Sequence, residues 1–144
     1  MQAGAYFSIL IFATIAFVFK KRFLAAELLF GGTLAWILAW AIKLAVVRPR
    51  PFEVLSQVSL RESNVYGFGF PSAHAAVAAA LVAVASFHFK SCYSWLLWVA
   101  VLIVAFARIY MGVHLPLDVA GGVALGWFAG LFTQLIFKST RKSD

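Results

Sequence analysis

Lys43, Arg50 and Arg108 stand in or beside long apolar runs, and two histidines, His74 and His114, accompany them with one carboxylate, Asp118. Charges this close to a bilayer are costly and by default call for a functional explanation. Arginine forks match phosphate oxygens in pairs, and a lysine adds a point charge, so the three cations suit a phosphate. The stretch GFPSAH at 69–74 adds a helix start, where free amides and the macrodipole favour an anion. Pro71 suits the first helical position because its missing amide costs nothing there. Ser72 can donate its hydroxyl to the same anion or cap the helix. A histidine becomes a nucleophile when a neighbour fixes its tautomer. Asp118, four residues after His114, has the spacing that brings side chains together at a helix start. It would hold the ring proton and stabilise the imidazolium, while His74 protonates the leaving oxygen. Cysteine clusters, a His-Glu-x-x-His helix and an aspartate pair are absent from the sequence, so no metal or other cofactor is expected.

The elements that must position these residues are membrane helices. Of 144 residues 64% are hydrophobic and 12% charged, against roughly 45–50% and about 25% in soluble domains. The net charge of +7 does not point to nucleic acid, because the basic residues are scattered between apolar spans. Cys92 is the single cysteine, which excludes an internal disulfide and reads as a small interfacial hydrophobe. A span needs about 20 mostly apolar residues. The expected fold is all-α, one membrane-embedded domain over 1–144 with about five transmembrane helices. They are read at 3–19, 23–47, 71–89 (or from Ser72), 95–109 and 117–137, with a polar, frayed tail. The first is a retained span, since its basic residues follow it rather than precede it. Pro49 and Pro51 stop the second and push Arg48 and Arg50 into extended geometry.

Alternation of spans puts Lys20, Lys21, Arg22, Lys90, Lys138, Arg141 and Lys142 on one side, which the positive-inside rule makes cytoplasmic. The 48–70 loop and the 110–116 turn then face outward, and every candidate site residue gathers at that outer face. By themselves Lys43 and Arg108 could equally snorkel toward headgroups. Arg48 reads as a surface or headgroup contact, His88 as interfacial, and Glu27 as a partner of Lys20, Lys21 or Arg22. Trp36, Trp40, Trp95, Trp98 and Trp127 read as mostly lipid-facing or interfacial. Gly122, Gly126 and Gly130 share a face of the last span, for packing within the bundle or, alternatively, for a homo-oligomer.

Three motifs then carry a resemblance. The segments KLAVVRPRP (43–51), PSAH (71–74) and ARIYMGVHLPLD (107–118) are similar in order and spacing to the signature of the type 2 phosphatidic acid phosphatase superfamily. These are membrane lipid phosphate phosphatases that share a core with vanadium haloperoxidases. The match covers 43–118. The resemblance implies His114 as the phosphohistidine nucleophile, Asp118 as its orienter and His74 as the general acid. It implies Lys43, Arg50, Ser72, Ala73 and Arg108 as the phosphate-binding set. Ala73 stands where the family has glycine and keeps its backbone amide; Ala107 stands for serine and loses a hydrogen bond. Bacterial membrane members commonly have six helices, so five here implies that the first is lacking and the N-terminus lies outside.

The expected function is a multi-pass phosphatase of the inner or plasma membrane, with its site at the outer (periplasmic or extracytoplasmic) face and a lipid phosphate as substrate. Undecaprenyl diphosphate leads, with phosphatidic acid and phosphatidylglycerol phosphate as alternatives. In the covering loop Glu53, Gln57, Arg61, Glu62 and Asn64 are the polar groups available to read a headgroup. A weakened lipid-phosphate binder is the runner-up, prompted by Ala107. A vanadate-dependent oxidase fits less well, because such relatives are soluble. A transporter would want its polar residues near the midplane rather than at one end.

Overall fold

The computed structural model describes residues 2–61, 65–89 and 91–141. The chain folds as α1 (Gln2–Val18), α2 (Arg22–Val46), a single turn α3 (Pro51–Val54), α4 (Ala73–Ser86), α5 (Ser91–Tyr110) and α6 (Pro116–Arg141), and no strand occurs among the described residues. The all-helical expectation holds. Several boundaries move, α4 among them, which ends at Ser86 rather than Phe89, and one element is new. α5 begins four residues earlier than read, at Ser91 rather than Trp95, because the apolar run is helical from its polar edge. α6 runs on through Lys138 to Arg141, where fraying was expected. α4 starts at Ala73 with Ser72 as its N-cap, so Pro71 lies before the cap and not at the first helical position. α2 ends at Val46, because Val47 takes a left-handed conformation (φ 50°, ψ 37°) and donates its amide to the Lys43 carbonyl. The new turn α3 forms because Pro51 pre-sets its first residue and Glu53 accepts the Arg50 N–H at 2.8 Å. That capping use occupies Glu53, a residue read as a headgroup contact.

Three helical segments are long and apolar enough to cross a membrane, within 22–54, 93–110 and 116–138, and the apolar stretches Gly4–Val18 and Ala73–Ser86 are shorter. α4 has 14 residues, about 21 Å at ~1.5 Å per residue, against a hydrocarbon core of about 30 Å. It can be short because it is enclosed: α1, α2, α5 and α6 all pack on it. Its buried positions are mostly alanine (73, 75, 76, 79, 80 and 83), so its neighbours approach closely. On α6 a methyl at Gly122 would overlap the Ser72 carbonyl, and one at Gly126 the Ala76 carbonyl. The glycine face is therefore occupied by α4 inside the bundle, and is not an open face for a second copy.

Outward, the helices present Phe7, Ile11, Phe17, Leu102, Ile103, Phe106, Phe128 and Leu135, all exposed. That belt suits hydrocarbon, and the chain is a membrane protein. Trp40, Trp95 and Trp127 belong to it, whereas Trp36 packs on the core and meets Tyr6 at a ring distance of 5.4 Å.

Candidate active site

Residues 111–115 turn the chain from α5 into α6, with Gly112 at φ 73°. Here glycine is needed twice over, since a side chain would also meet the Ser59 carbonyl. Pro116 opens α6 and Asp118 occupies its first turn, where Oδ2 accepts the Leu115 N–H at 2.8 Å. His114, just ahead of the helix, is 4% exposed. Its Nδ1 lies 3.8 Å from Asp118 Oδ2, a charge contact too long for a hydrogen bond. Nδ1 has no hydrogen-bond partner. The sequence spacing thus brings ring and carboxylate together, but the ring proton is not held. Burial pushes the His114 pKa below its ordinary value of 6.5; Asp118 opposes this, and the charges of Lys43, Arg50 and Arg108 add to it. The ring is neutral at pH 7.

The cations come from three elements. Lys43, one turn before the end of α2 and 3% exposed, donates to the Phe68 carbonyl at 2.6 Å and toward that of Gly69 at 3.4 Å. Arg50, also 3% exposed, donates Nε to the Gly67 carbonyl, Nη1 to that of Val113 and Nη2 to that of Tyr66, at 2.6, 3.1 and 3.1 Å. Three of a guanidinium's five N–H bonds therefore clamp the 66–67 loop to the His114 turn. Arg108, in the last turn of α5, is buried with Nη1 3.7 Å from Met111 Sδ.

α4 brings the remaining groups. Ser72 is fully buried, and its Oγ neither caps the helix nor finds any other partner. Its amide donates to the Asp118 carbonyl at 2.8 Å, tying the start of α4 to the first turn of α6. Ala73 is the first helical residue, so its amide is among those that an α-helix leaves unused. His74 is half-buried, within electrostatic range of Arg108, His114 and Lys43, and its Nε2 faces Gly4 of α1. All eight residues named from the sequence thus lie at one end of the bundle. Among the described residues no three His, Cys, Asp or Glu side chains gather as a metal ion would require.

Two polar pairings were not foreseen. Arg48 is no loose surface contact: Nη1 bonds Asp118 Oδ1 at 2.9 Å. RPRP offers two similar Arg-Pro steps, and only the tertiary fold distinguishes them. At the opposite end of α4, Glu27 is fully buried and pairs with His88 Nε2 at 2.5 Å and Gln134 Nε2 at 2.8 Å. That corrects its expected pairing with the 20–22 cluster and the reading of His88 as merely interfacial. Of the loop groups read as headgroup contacts, Arg61 lies 4.3 Å above the Tyr110 ring, Gln57 is exposed, and Glu62 and Asn64 lie outside the described residues.

Beside His74 an apolar cavity of about 730 Å³ opens between α1, α2, α4 and α5. It passes Ser8, Phe12, Leu81 and Val101 and reaches Lys21 and Phe89 at the far end.

Residues 24–142 match the family model described as the PAP2 superfamily. An undecaprenyl-diphosphatase of Sulfolobus acidocaldarius is 30% identical over 121 residues, covering 82% of this chain and 58% of that protein. A lipid A 4'-phosphatase of Porphyromonas gingivalis is 34% identical over 84 residues, covering 54% of this chain and 36% of the relative. The chain therefore spans well under two thirds of the length of either curated relative. Among solved structures, Aquifex aeolicus LpxE superposes with a TM-score of 0.81 at 28% identity, covering 90% of this chain and 79% of that one. The Bacillus subtilis PAP2-type phosphatidylglycerolphosphate phosphatase, at 23% identity and TM-score 0.71, shares the fold over 96% of this chain and 71% of its own.

Proposed function

The chain belongs to the PAP2 superfamily, and from that premise we propose that it is a membrane phosphatase that cleaves a lipid phosphate or diphosphate through a phosphohistidine on His114. A lone pair of the neutral His114 ring attacks phosphorus, and the bond from phosphorus to the leaving oxygen breaks. His74 gives that oxygen its proton, so the lipid departs as an alcohol, or as a monophosphate when the substrate is a diphosphate. Water then attacks the phosphohistidine and returns a proton to His74; the P–N bond breaks, and inorganic phosphate leaves. Lys43, Arg50, Arg108, the Ser72 hydroxyl and the Ala73 amide hold the phosphoryl oxygens. Catalysis here is mainly positioning and charge stabilisation.

One observation carries this reading: Ser72 Oγ and His114 Nδ1 are both buried without a partner amid three cations. Buried polar atoms are normally satisfied, and an anion would supply what Ser72 Oγ lacks. The apolar cavity beside His74 supports a substrate with a hydrocarbon tail. The outer-face assignment is supported by Lys20, Lys21 and Arg22 at the start of α2 and Lys138 and Arg141 late in α6, at the end of the bundle away from Asp118. Undecaprenyl diphosphate is the leading substrate, a reading favoured by the Sulfolobus relative. The Porphyromonas relative makes a phosphorylated glycolipid the competitor.

The test is phosphate release by purified protein, with chelator present, from undecaprenyl diphosphate, lipid A, phosphatidic acid and phosphatidylglycerol phosphate. Turnover that His114→Ala abolishes is expected, and strict dependence on added metal would refute the mechanism. A tenfold kcat/KM preference for another lipid, about 1.4 kcal/mol of transition-state preference, would remove the polyprenyl assignment alone. Orientation is read separately, in a Cys92→Ser background. A cysteine at Ser59 should label from outside intact cells and one at Lys138 should not.

A further inference from the structure

Arg48 lies outside the phosphate-binding set, yet its guanidinium is bonded to the carboxylate assigned to orient the nucleophile. Nη1 stands 2.9 Å from Asp118 Oδ1; the Asp118 side chain is 1% exposed and that of Arg48 32%. Both carboxylate oxygens are engaged, Oδ1 by Arg48 and Oδ2 by the Leu115 amide at 2.8 Å, while His114 Nδ1 waits 3.8 Å from Oδ2. The backbone is shaped for the contact. Val47, a β-branched residue, takes a left-handed conformation that such residues rarely adopt, and so turns the chain sharply out of α2. The Arg48 carbonyl then accepts the Gly69 N–H at 2.7 Å, which fixes the residue from which the guanidinium reaches Asp118.

We propose that Arg48 is a positioning residue: it holds the Asp118 carboxylate and balances its charge beside the His114 ring. The inference rests on the phosphohistidine reading and names a further participant in it. The charged and titratable groups around His114 are Lys43 from α2, Arg50 from the following loop, His74 from α4, Arg108 from α5 and Asp118 from α6. With Arg48 on Asp118, burial, joined by the charges of Lys43, Arg50 and Arg108, holds the His114 pKa below its ordinary value. Without Arg48 the carboxylate turns its full charge on the ring and favours imidazolium, which has no lone pair with which to attack phosphorus.

Arg48→Gln, Arg48→Lys, Asp118→Asn and the Arg48→Gln/Asp118→Asn double variant separate this role from others in detergent-solubilised protein. The readouts are phosphate release and the NMR titration of the His114 ring, assigned by its loss in His114→Gln. Arg48→Gln is expected to move the His114 titration alkaline by about one pH unit. It should lower kcat at pH 6 several-fold with KM little changed, because a one-unit shift raises the protonated fraction of the nucleophile there. Arg48→Lys should recover most of both. In the Asp118→Asn background the Gln substitution should add little, since groups that act through one another are not additive. An unmoved titration, a rise in KM with kcat intact, or an equal loss in the Asn background would each overturn the proposal. If Arg48→Gln does not fold, Arg48→Met, which also removes the charge, makes the same comparison against Asp118→Asn. A shifted His114 titration in protein without turnover would sink the phosphatase reading and leave the Arg48 coupling standing.

Discussion

Ser72→Ala should raise stability and lower activity, two effects of opposite sign from one oxygen atom. Ser72 is fully buried at the N-cap of α4, and its hydroxyl makes neither a capping bond nor any other. A buried hydroxyl without a partner costs about 1–3 kcal/mol on protein mutational scales, so removing it should stabilise the empty protein by about 1 kcal/mol. During turnover the same hydroxyl would donate to a phosphoryl oxygen, and hydrogen bonds to charged groups are worth about 1.5–3 kcal/mol. At about 1.4 kcal/mol per tenfold, kcat/KM should fall by roughly 10- to 150-fold. Thermal unfolding in detergent micelles gives the first number, and phosphate release gives the second. An ordinary N-cap serine behaves in the opposite way, since its replacement by alanine costs about 0.5–2 kcal/mol. A destabilised Ser72→Ala with undiminished kcat/KM would therefore show that Ser72 is a cap and that its hydroxyl does not meet the anion.

In wild type, the depressed pKa of His114 means that its ring stays neutral at pH values where a free imidazole is half protonated. The NMR titration of the free enzyme should accordingly centre below pH 6.5, and a midpoint above that value contradicts the burial argument. Gly126→Ala puts a methyl into the Ala76 carbonyl; overpacking of this kind costs about 1–3 kcal/mol. It should lower both thermal stability and turnover, although no site atom changes. Glu27→Ala leaves His88 and Gln134 without the carboxylate they share, and breaking such a buried pair costs about 3–5 kcal/mol; far less folded protein should be recovered, and unchanged thermal stability would mean that the pair contributes little. Ala78→Trp narrows the cavity beside His74. If two methylenes of the tail are expelled, at about 0.8 kcal/mol each, kcat/KM for a long-chain lipid phosphate should fall by about 15-fold. Hydrolysis of a short, soluble phosphate ester should hardly change, and an equal loss on both would place the tail elsewhere.

The helices and the site-bearing ends were legible in the sequence because each depends on local pattern. Apolar runs set the spans, Pro49 stops α2 just beyond Val47, and Pro116 opens α6 with Asp118 in its first turn. What escaped depends on partners far along the chain. Arg48 and Asp118 are 70 residues apart, Glu27 and His88 are 61 apart, and Glu27 and Gln134 are 107 apart. No periodicity announces such pairs, and a cation beside a proline looks the same whether it meets solvent or a buried carboxylate. The one-turn helix α3 was missed for the opposite reason: at 4 residues it is too short to have a period. Its cap, the Arg50 amide on Glu53, also shows that a polar group the sequence offers to a ligand can already be committed.

The alanines of α4 and the glycines of α6 join fold to chemistry, although the sequence presents them only as packing residues. With alanine at 75, 76 and 79 facing glycine at 122 and 126, the two helices come close enough for backbone to meet backbone. The Ser72 amide can then bond the Asp118 carbonyl. That one hydrogen bond sets the start of α4, with Ser72, Ala73 and His74, against the first turn of α6, with Asp118 and the adjoining His114. Larger residues along this seam would separate the assigned acid from the assigned nucleophile without altering either. An in-line transfer tolerates little misplacement: an error of about 1 Å can cost about a hundredfold in rate. Placing the smallest residues at the seam beside the proposed reacting groups therefore serves the proposed chemistry as much as membrane packing.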